Sequence, residues 1–175
     1  MFQVTMPATI SFSSNIREII WSLLDDNSSF SYKWKYRIQL VTDELINNAI
    51  EHWSIKWDFI NIMIAFYEDK GIAISVEDCW NGKKKIGAES LMNLAKESRA
   101  AMLVDPNSNR TIRGRWLSMI VLSWSDSFLY EDNKLWWLTA KITKNFNEAC
   151  TDWVNAKIWN KIKIPKKIKI SSNIF

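Results

Sequence analysis

The sequence predicts an α+β domain: a two-layer sandwich with helices on one face of a mixed, mainly antiparallel sheet. Three observations carry that expectation. Apolar residues recur at helical spacing in some segments and alternate in others. The segments follow in the order strand, helix, helix, strand, strand, helix, helix, strand, strand. The later strands come in adjacent pairs joined by turn-like residues, which favours hairpins over parallel crossovers.

Met1 to Ile10 alternates loosely and reads as a first strand. Ser13 or Ser14 is placed to cap a helix running to about Leu24, and Asp25 to Ser31 reads as a loop. In the next segment Ile38, Val41, Leu45, Ile46, Ala49 and Ile50 fall on one apolar arc at 100° per residue, which predicts a helix ending near His52. Phe59 to Tyr67 and Ile72 to Val76 read as two strands joined by Glu68-Asp69-Lys70-Gly71, a tetrapeptide suited to an antiparallel hairpin. Ala88 to Met102 is helical in pattern, Asp105-Pro106-Asn107 breaks it, and Leu117 to Leu122 suggests another helix start. Two strands close the pattern, about Phe128 to Glu131 and Leu138 to Thr143. No internal repeat is visible.

A chain of 175 residues can bury one core of ordinary size. Its 47% hydrophobic and 24% charged residues exclude a disordered or fibrous chain. The longest mostly apolar stretch, Phe59 to Tyr67, is far short of the roughly 20 residues a membrane span needs. No basic-then-apolar leader opens the sequence, so a cytoplasmic protein with no membrane partner is expected. Cys79 and Cys150 make no CxxC or Cys/His cluster, which argues against a structural zinc site.

The net charge of +4 is uneven, because Lys157, Lys161, Lys163, Lys166, Lys167 and Lys169 crowd the end. Without these six lysines, 17 basic residues face 19 acidic ones, a net charge of −2. The basic character belongs to a C-terminal extension, residues 149–175, on a slightly acidic domain spanning 1–148. Direct nucleic-acid binding by the body is therefore not expected. The Lys/Ile alternation of the extension fits an edge strand, a partner-binding arm or a solvated end.

Candidate chemistry begins with Glu44 and Asn48, four residues apart and so one above the other at the margin of the apolar arc. A carboxylate and a carboxamide in that arrangement suit a general base and an oxygen ligand for magnesium in phosphoryl transfer. His52 is the single histidine and has no nucleophile nearby, which disfavours a Ser/His/Asp triad. Gly82 to Gly87 gives GxxxxG but continues Ala88-Glu89, so it is not a P-loop.

The wider context is Glu44-Leu45-Ile46-Asn47-Asn48-Ala49-Ile50-Glu51-His52, then Val76-Glu77-Asp78-Cys79-Trp80-Asn81-Gly82, then Arg113-Gly114-Arg115-Trp116-Leu117. In order and spacing these resemble the N box, the DxGxG box and the GxGL box of the GHKL (histidine kinase-like) ATPase superfamily. Within it, the E-x-x-x-N-A-x-x-H wording is most similar to the anti-sigma factor serine/threonine kinases, over about Phe2 to Lys144. The resemblance implies a Bergerat-type fold and ATP and Mg2+ as cofactors. It also implies two partners, a sigma factor and a STAS-domain anti-anti-sigma protein that is phosphorylated; homodimers are common in the resembling family. By the same resemblance Glu44 is the catalytic base, Asn48 holds magnesium on the phosphates, and Asp78 accepts a hydrogen bond from the adenine amine. Gly82, Gly114 and the positions of Trp80 and Trp116 bring backbone to the nucleotide, and Arg113, with Arg115 and Lys83 to Lys85, neutralises phosphate charge. The alternatives are the catalytic ATP-binding domain of a histidine kinase, and a GHKL-fold module that binds a partner without transferring phosphate.

Two boxes depart from the family in one way. Trp80 and Trp116 stand where glycine is wanted, and Trp53 stands where glycine commonly follows the N-box histidine. The chain holds 4 Gly and 11 Trp, whereas a soluble chain of this length should have roughly 12 Gly. Glycine serves such positions through close backbone approach or positive φ, which the largest side chain cannot supply. The shared form of the departures predicts a reassigned codon, UGA read as glycine in the source and rendered here as tryptophan. TGA at the codons of Trp53, Trp80 and Trp116 would bear this out, and TGG would refute it.

Overall fold

The computed structural model describes residues 1–55, 58–67, 71–78, 86–104, 124–132 and 137–146. Strand β1 (Phe2–Pro7) leads through a 3-10 turn (Ile10–Phe12) into helix α1 (Ser13–Asn27) and then helix α2 (Tyr32–Asn48). One turn of π-helix (Ala49–Trp53) continues α2, followed by strands β2 (Phe59–Tyr67) and β3 (Gly71–Glu77). Helix α3 (Ala88–Val104) and strands β4 (Ser127–Asp132) and β5 (Leu138–Asn145) complete the described elements. The helix expected from Leu117 to Leu122, the Asp105-Pro106-Asn107 break, and the extension 149–175 lie outside the described residues.

The five strands form one sheet in the order β1-β2-β3-β5-β4, and all four pairings are antiparallel. This corrects the expectation of a mixed sheet. Strands β3 and β4 run the same way, but β5 folds back from β4 and inserts between them, so among the described residues no parallel ladder forms. The β2–β3 hairpin has the expected register, with Tyr67 opposite Gly71.

The core lies between the helices and one face of the sheet. Ile16, Ile20 and Leu24 of α1, at four-residue spacing, are buried with Ile38, Val41 and Leu45 of α2. They pack on even-numbered strand residues, including Ile60, Ile62, Ile74, Val76, Leu138 and Ile142. Each such side chain contributes about 1.5–3 kcal/mol when fully buried. The other sheet face is polar at one end. Thr5 Oγ1 donates to Asn61 Oδ1 at 2.8 Å, Asn61 Nδ2 approaches Glu77 Oε1 at 3.5 Å, and Thr139 Oγ1 approaches Glu77 Oε2 at 3.4 Å.

Helix ends differ from the sequence expectation. Neither Ser13 nor Ser14 caps α1; the Ser13 hydroxyl donates back to the Ile10 carbonyl at 2.7 Å, and α1 starts directly from the 3-10 turn. At the other end α1 runs to Asn27 instead of stopping near Leu24. Its last carbonyls are taken by side chains, Ser28 Oγ to Leu24 O at 2.5 Å and Asn27 Nδ2 to Leu23 O at 3.0 Å. Lys35 of α2 also holds Asp25 at 2.6 Å. Among the described residues, no helix is long and apolar enough to cross a membrane.

Candidate functional site

The site is built where the C-terminal end of α2 meets the ends of β3, β4 and β5. Helix α2 buries Leu45 and Ile46 completely, which fixes its rotation and leaves Glu44 and Asn48 half-buried at the margin. Asn48 Nδ2 points to Glu44 Oε1 at 3.5 Å, so the two groups the sequence singled out share one face. Beyond Asn48 the chain widens into the π turn, whose five residues include His52, half-buried, and Trp53, 6% exposed. Such turns re-aim side chains relative to a regular helix and recur at functional sites.

Asp78 follows β3 and is 1% exposed, its backbone N–H donating to Leu138 O at 3.1 Å on β5. A carboxylate so deep in the fold is rare unless it is paired. Glu44 and Asp78 meet electrostatically at Tyr130 of β4. Burial raises the Tyr130 phenol far above the ordinary range, and the carboxylates of Glu44 and Asp78 raise it further. Glu44 and Asp78, distant in sequence, therefore both lie near enough to act on one phenol, and Asn48 neighbours Glu44.

Tyr130 is the residue the sequence reading missed. The inward alternation of Phe128 and Tyr130 on β4 was its signal, since an inward tyrosine brings a hydroxyl that needs a partner. The Tyr130 ring meets Trp53 edge-on, centroids 5.3 Å apart at 89°, and Phe128 at 4.8 Å. Its backbone N–H donates to Met92 Sδ of α3 at 3.3 Å, which covers part of the outer edge of β4. Asp132, two residues on, accepts the Ala88 N–H at 3.2 Å with both carboxylate oxygens and so anchors the start of α3. Between α3 and β4 runs an open groove of about 600 Å³, lined by Ala88, Glu89, Met92, Tyr130, Glu131 and Asp132 among others.

On the other flank of α2, Asp43 is 7% exposed and holds Arg17 Nε at 2.7 Å. Burial raises its pKa, and the Arg17 charge and hydrogen bond pull it back down. Arg17 thus helps keep this face of α2 in place.

Among the described residues no group of three or more His, Cys, Asp or Glu forms a metal site. The pair Glu44 and Asn48 suits a different arrangement. Magnesium is usually held by one or two protein oxygens and completes its shell with substrate phosphates and water, and the Asn48 carboxamide oxygen is one such donor. Trp80, Gly82, Arg113, Gly114 and Trp116 lie outside the described residues. No family model matches the chain, and no curated protein matches it.

Proposed function

We propose that the chain is an ATP- and magnesium-dependent serine/threonine kinase of the anti-sigma type, which holds a sigma factor and phosphorylates a STAS-domain anti-anti-sigma antagonist. One observation supports the reading: the two carboxylates to which the resemblance gives catalysis and adenine recognition, Glu44 and Asp78, both act on the Tyr130 phenol, and Asn48 Nδ2 lies 3.5 Å from Glu44 Oε1. The GHKL type, the Bergerat fold and a cytoplasmic location belong to the same proposal.

In this reading Asp78 accepts a hydrogen bond from the adenine 6-amino group, and its burial makes that contact selective because solvent cannot substitute for it. The Asn48 oxygen would hold magnesium, which would offset the charge of the phosphates. Glu44 takes the proton of the substrate serine or threonine hydroxyl as its oxygen forms a bond to the γ-phosphorus and the bond to the β-γ bridging oxygen breaks, releasing ADP. Gly82, Gly114 and Arg113, with glycine at positions 80 and 116, would seat the phosphates.

With labelled ATP and a cognate STAS protein, the chain carrying Trp53→Gly, Trp80→Gly and Trp116→Gly should give phosphoserine or phosphothreonine. Glu44→Gln should lower transfer about 100- to 10,000-fold and leave nucleotide affinity unchanged. Absence of nucleotide binding in the glycine-restored chain would end the enzyme reading.

A second reading has its own observation. The Trp53 indole is buried against Tyr130, in the space the kinase reading gives to the nucleotide. A chain with authentic tryptophan there is a partner-binding module without phosphoryl transfer, and would retain a sigma factor in a pull-down regardless of ATP. The codons at Trp53, Trp80 and Trp116 separate the two.

A further inference from the structure

Tyr130 is 3% exposed, and among the described residues its hydroxyl has no hydrogen-bond partner. Buried polar groups are nearly always paired, so an orphaned phenol marks either a cost or a missing ligand. Strand register says where it lies. Tyr130 faces Ala140 on β5, and Ala140 faces Val76 on β3, so the three form one row on the helix side of the sheet. The next row in the same direction is Asp132, Leu138 and then Asp78, whose N–H bonds Leu138. In the first row only the methyl of Ala140 stands between Tyr130 and β3, and Trp53 lies at the side of the phenol ring. Indole is a bicyclic ring of purine size. With glycine at position 53, the vacated space would be bounded by the Tyr130 ring and the end of α2, with the orphaned hydroxyl beside it.

We infer that the Tyr130 hydroxyl is a second reader of the adenine base, donating a hydrogen bond to the ring nitrogen beside the amine that Asp78 accepts. This rests on the kinase reading and adds a specificity-determining residue to it. Adenine presents a donor, the 6-amino group, flanked by the acceptors N1 and N7. A carboxylate beside a hydroxyl donor matches that pattern. Guanine reverses it, turning its O6 acceptor toward the carboxylate, so the pair selects against guanine through an unmatched buried group. A phenol is protonated at neutral pH, as a donor must be, and burial with the two carboxylates raises its pKa further.

The test is made on the full-length glycine-restored chain, with and without Tyr130→Phe, by calorimetric titration with ATP, 1-deaza-ATP, 7-deaza-ATP and GTP. Tyr130→Phe should weaken ATP binding about three- to tenfold without lowering the melting temperature of the nucleotide-free protein. One of the two deaza analogues should lose the same factor against the parent chain and nothing against the Tyr130→Phe chain, and discrimination against GTP should shrink by a similar factor. A merely structural tyrosine would not make the deaza loss depend on its hydroxyl. If both chains bind ATP equally, or if the deaza losses are identical in both, this inference falls and the kinase reading stands. If the parent binds no adenine nucleotide, both fall.

Discussion

Two buried polar clusters lie at opposite ends of the same sheet, and α2 touches both. At one end Lys144, 1% exposed, is paired with Asp126 at 2.8 Å, and its ammonium lies 4.6 Å from the Trp34 ring centroid. The Asp126 carboxylate also accepts the Asn145 N–H at 2.6 Å, and Arg37 lies over both Trp34 and Trp124. At the other end, about 15 Å along the helix from Trp34, Glu44 and Asp78 surround a hydroxyl that nothing among the described residues pairs. Both clusters carry charge in places where burial penalises it. In the first, opposite charges and hydrogen bonds offset the penalty within the chain. In the second, two carboxylates raise the pKa of a phenol whose hydroxyl has no hydrogen-bond partner among the described residues. The contrast sets a polar core satisfied within the chain beside the cluster that the proposed function assigns to a nucleotide.

Breaking the first cluster should have the largest effect on stability. Asp126→Ala strands a buried ammonium and should cost about 3–5 kcal/mol in urea unfolding. The double change Asp126→Leu with Lys144→Met should recover most of that loss, because it removes both charges and keeps apolar volume. Glu44→Gln at the other end should leave the urea midpoint nearly unchanged, since the residue is half-buried and the amide oxygen can still accept from Asn48 Nδ2. A large loss there would erase the contrast.

Gly71 sharpens the comparison on the structural side. A Cβ at this position would lie 2.5 Å from the Lys144 carbonyl oxygen and 2.5 Å from the Tyr67 hydroxyl. Gly71→Ala should therefore cost about 1–3 kcal/mol in thermal or urea unfolding. Tyr67→Ala should not rescue it, because the carbonyl is backbone.

The smallest effect concerns Tyr67, whose hydroxyl donates to Asn145 Oδ1 at 2.8 Å. Burial, and then the Asp126 charge, raise its pKa from 10.0 to about 12. The folded state thus holds this proton more tightly than the unfolded state, so its contribution is present below pH 10 and is lost as pH rises through about 12. Unfolding midpoints between pH 9 and 12 should fall less steeply in Tyr67→Phe than in the parent.

The sequence made the regular elements legible wherever periodicity is a sufficient signal. The β2 boundaries, Phe59 and Tyr67, agree with the pattern of apolar residues, and of the predicted arc Ile38, Val41, Leu45, Ile46 and Ala49 are buried and Ile50 partly so. Features set by tertiary contact were not legible. The Leu138 to Thr143 strand continues through Lys144, which alternation directs inward but whose charge argues for a stop. Only the distant Asp126 and Trp34 make that lysine tolerable. The end of α1 depends on carbonyl bonds from Asn27 and Ser28, and the all-antiparallel sheet on the insertion of β5. Of the candidate site, Glu44, Asn48 and Asp78 stand in the sequence motifs. Tyr130 belongs to no motif and emerged from burial and an unmet hydrogen bond.

The central claim is that the cluster of Glu44, Asp78 and Tyr130 is a nucleotide site, and calorimetric titration of the glycine-restored chain with Mg2+ and ATP tests it most directly. The account predicts saturable binding that Asp78→Ala abolishes while the fold, followed by circular dichroism, persists. Binding that survives Asp78→Ala undiminished, or no binding in the folded parent, would contradict it.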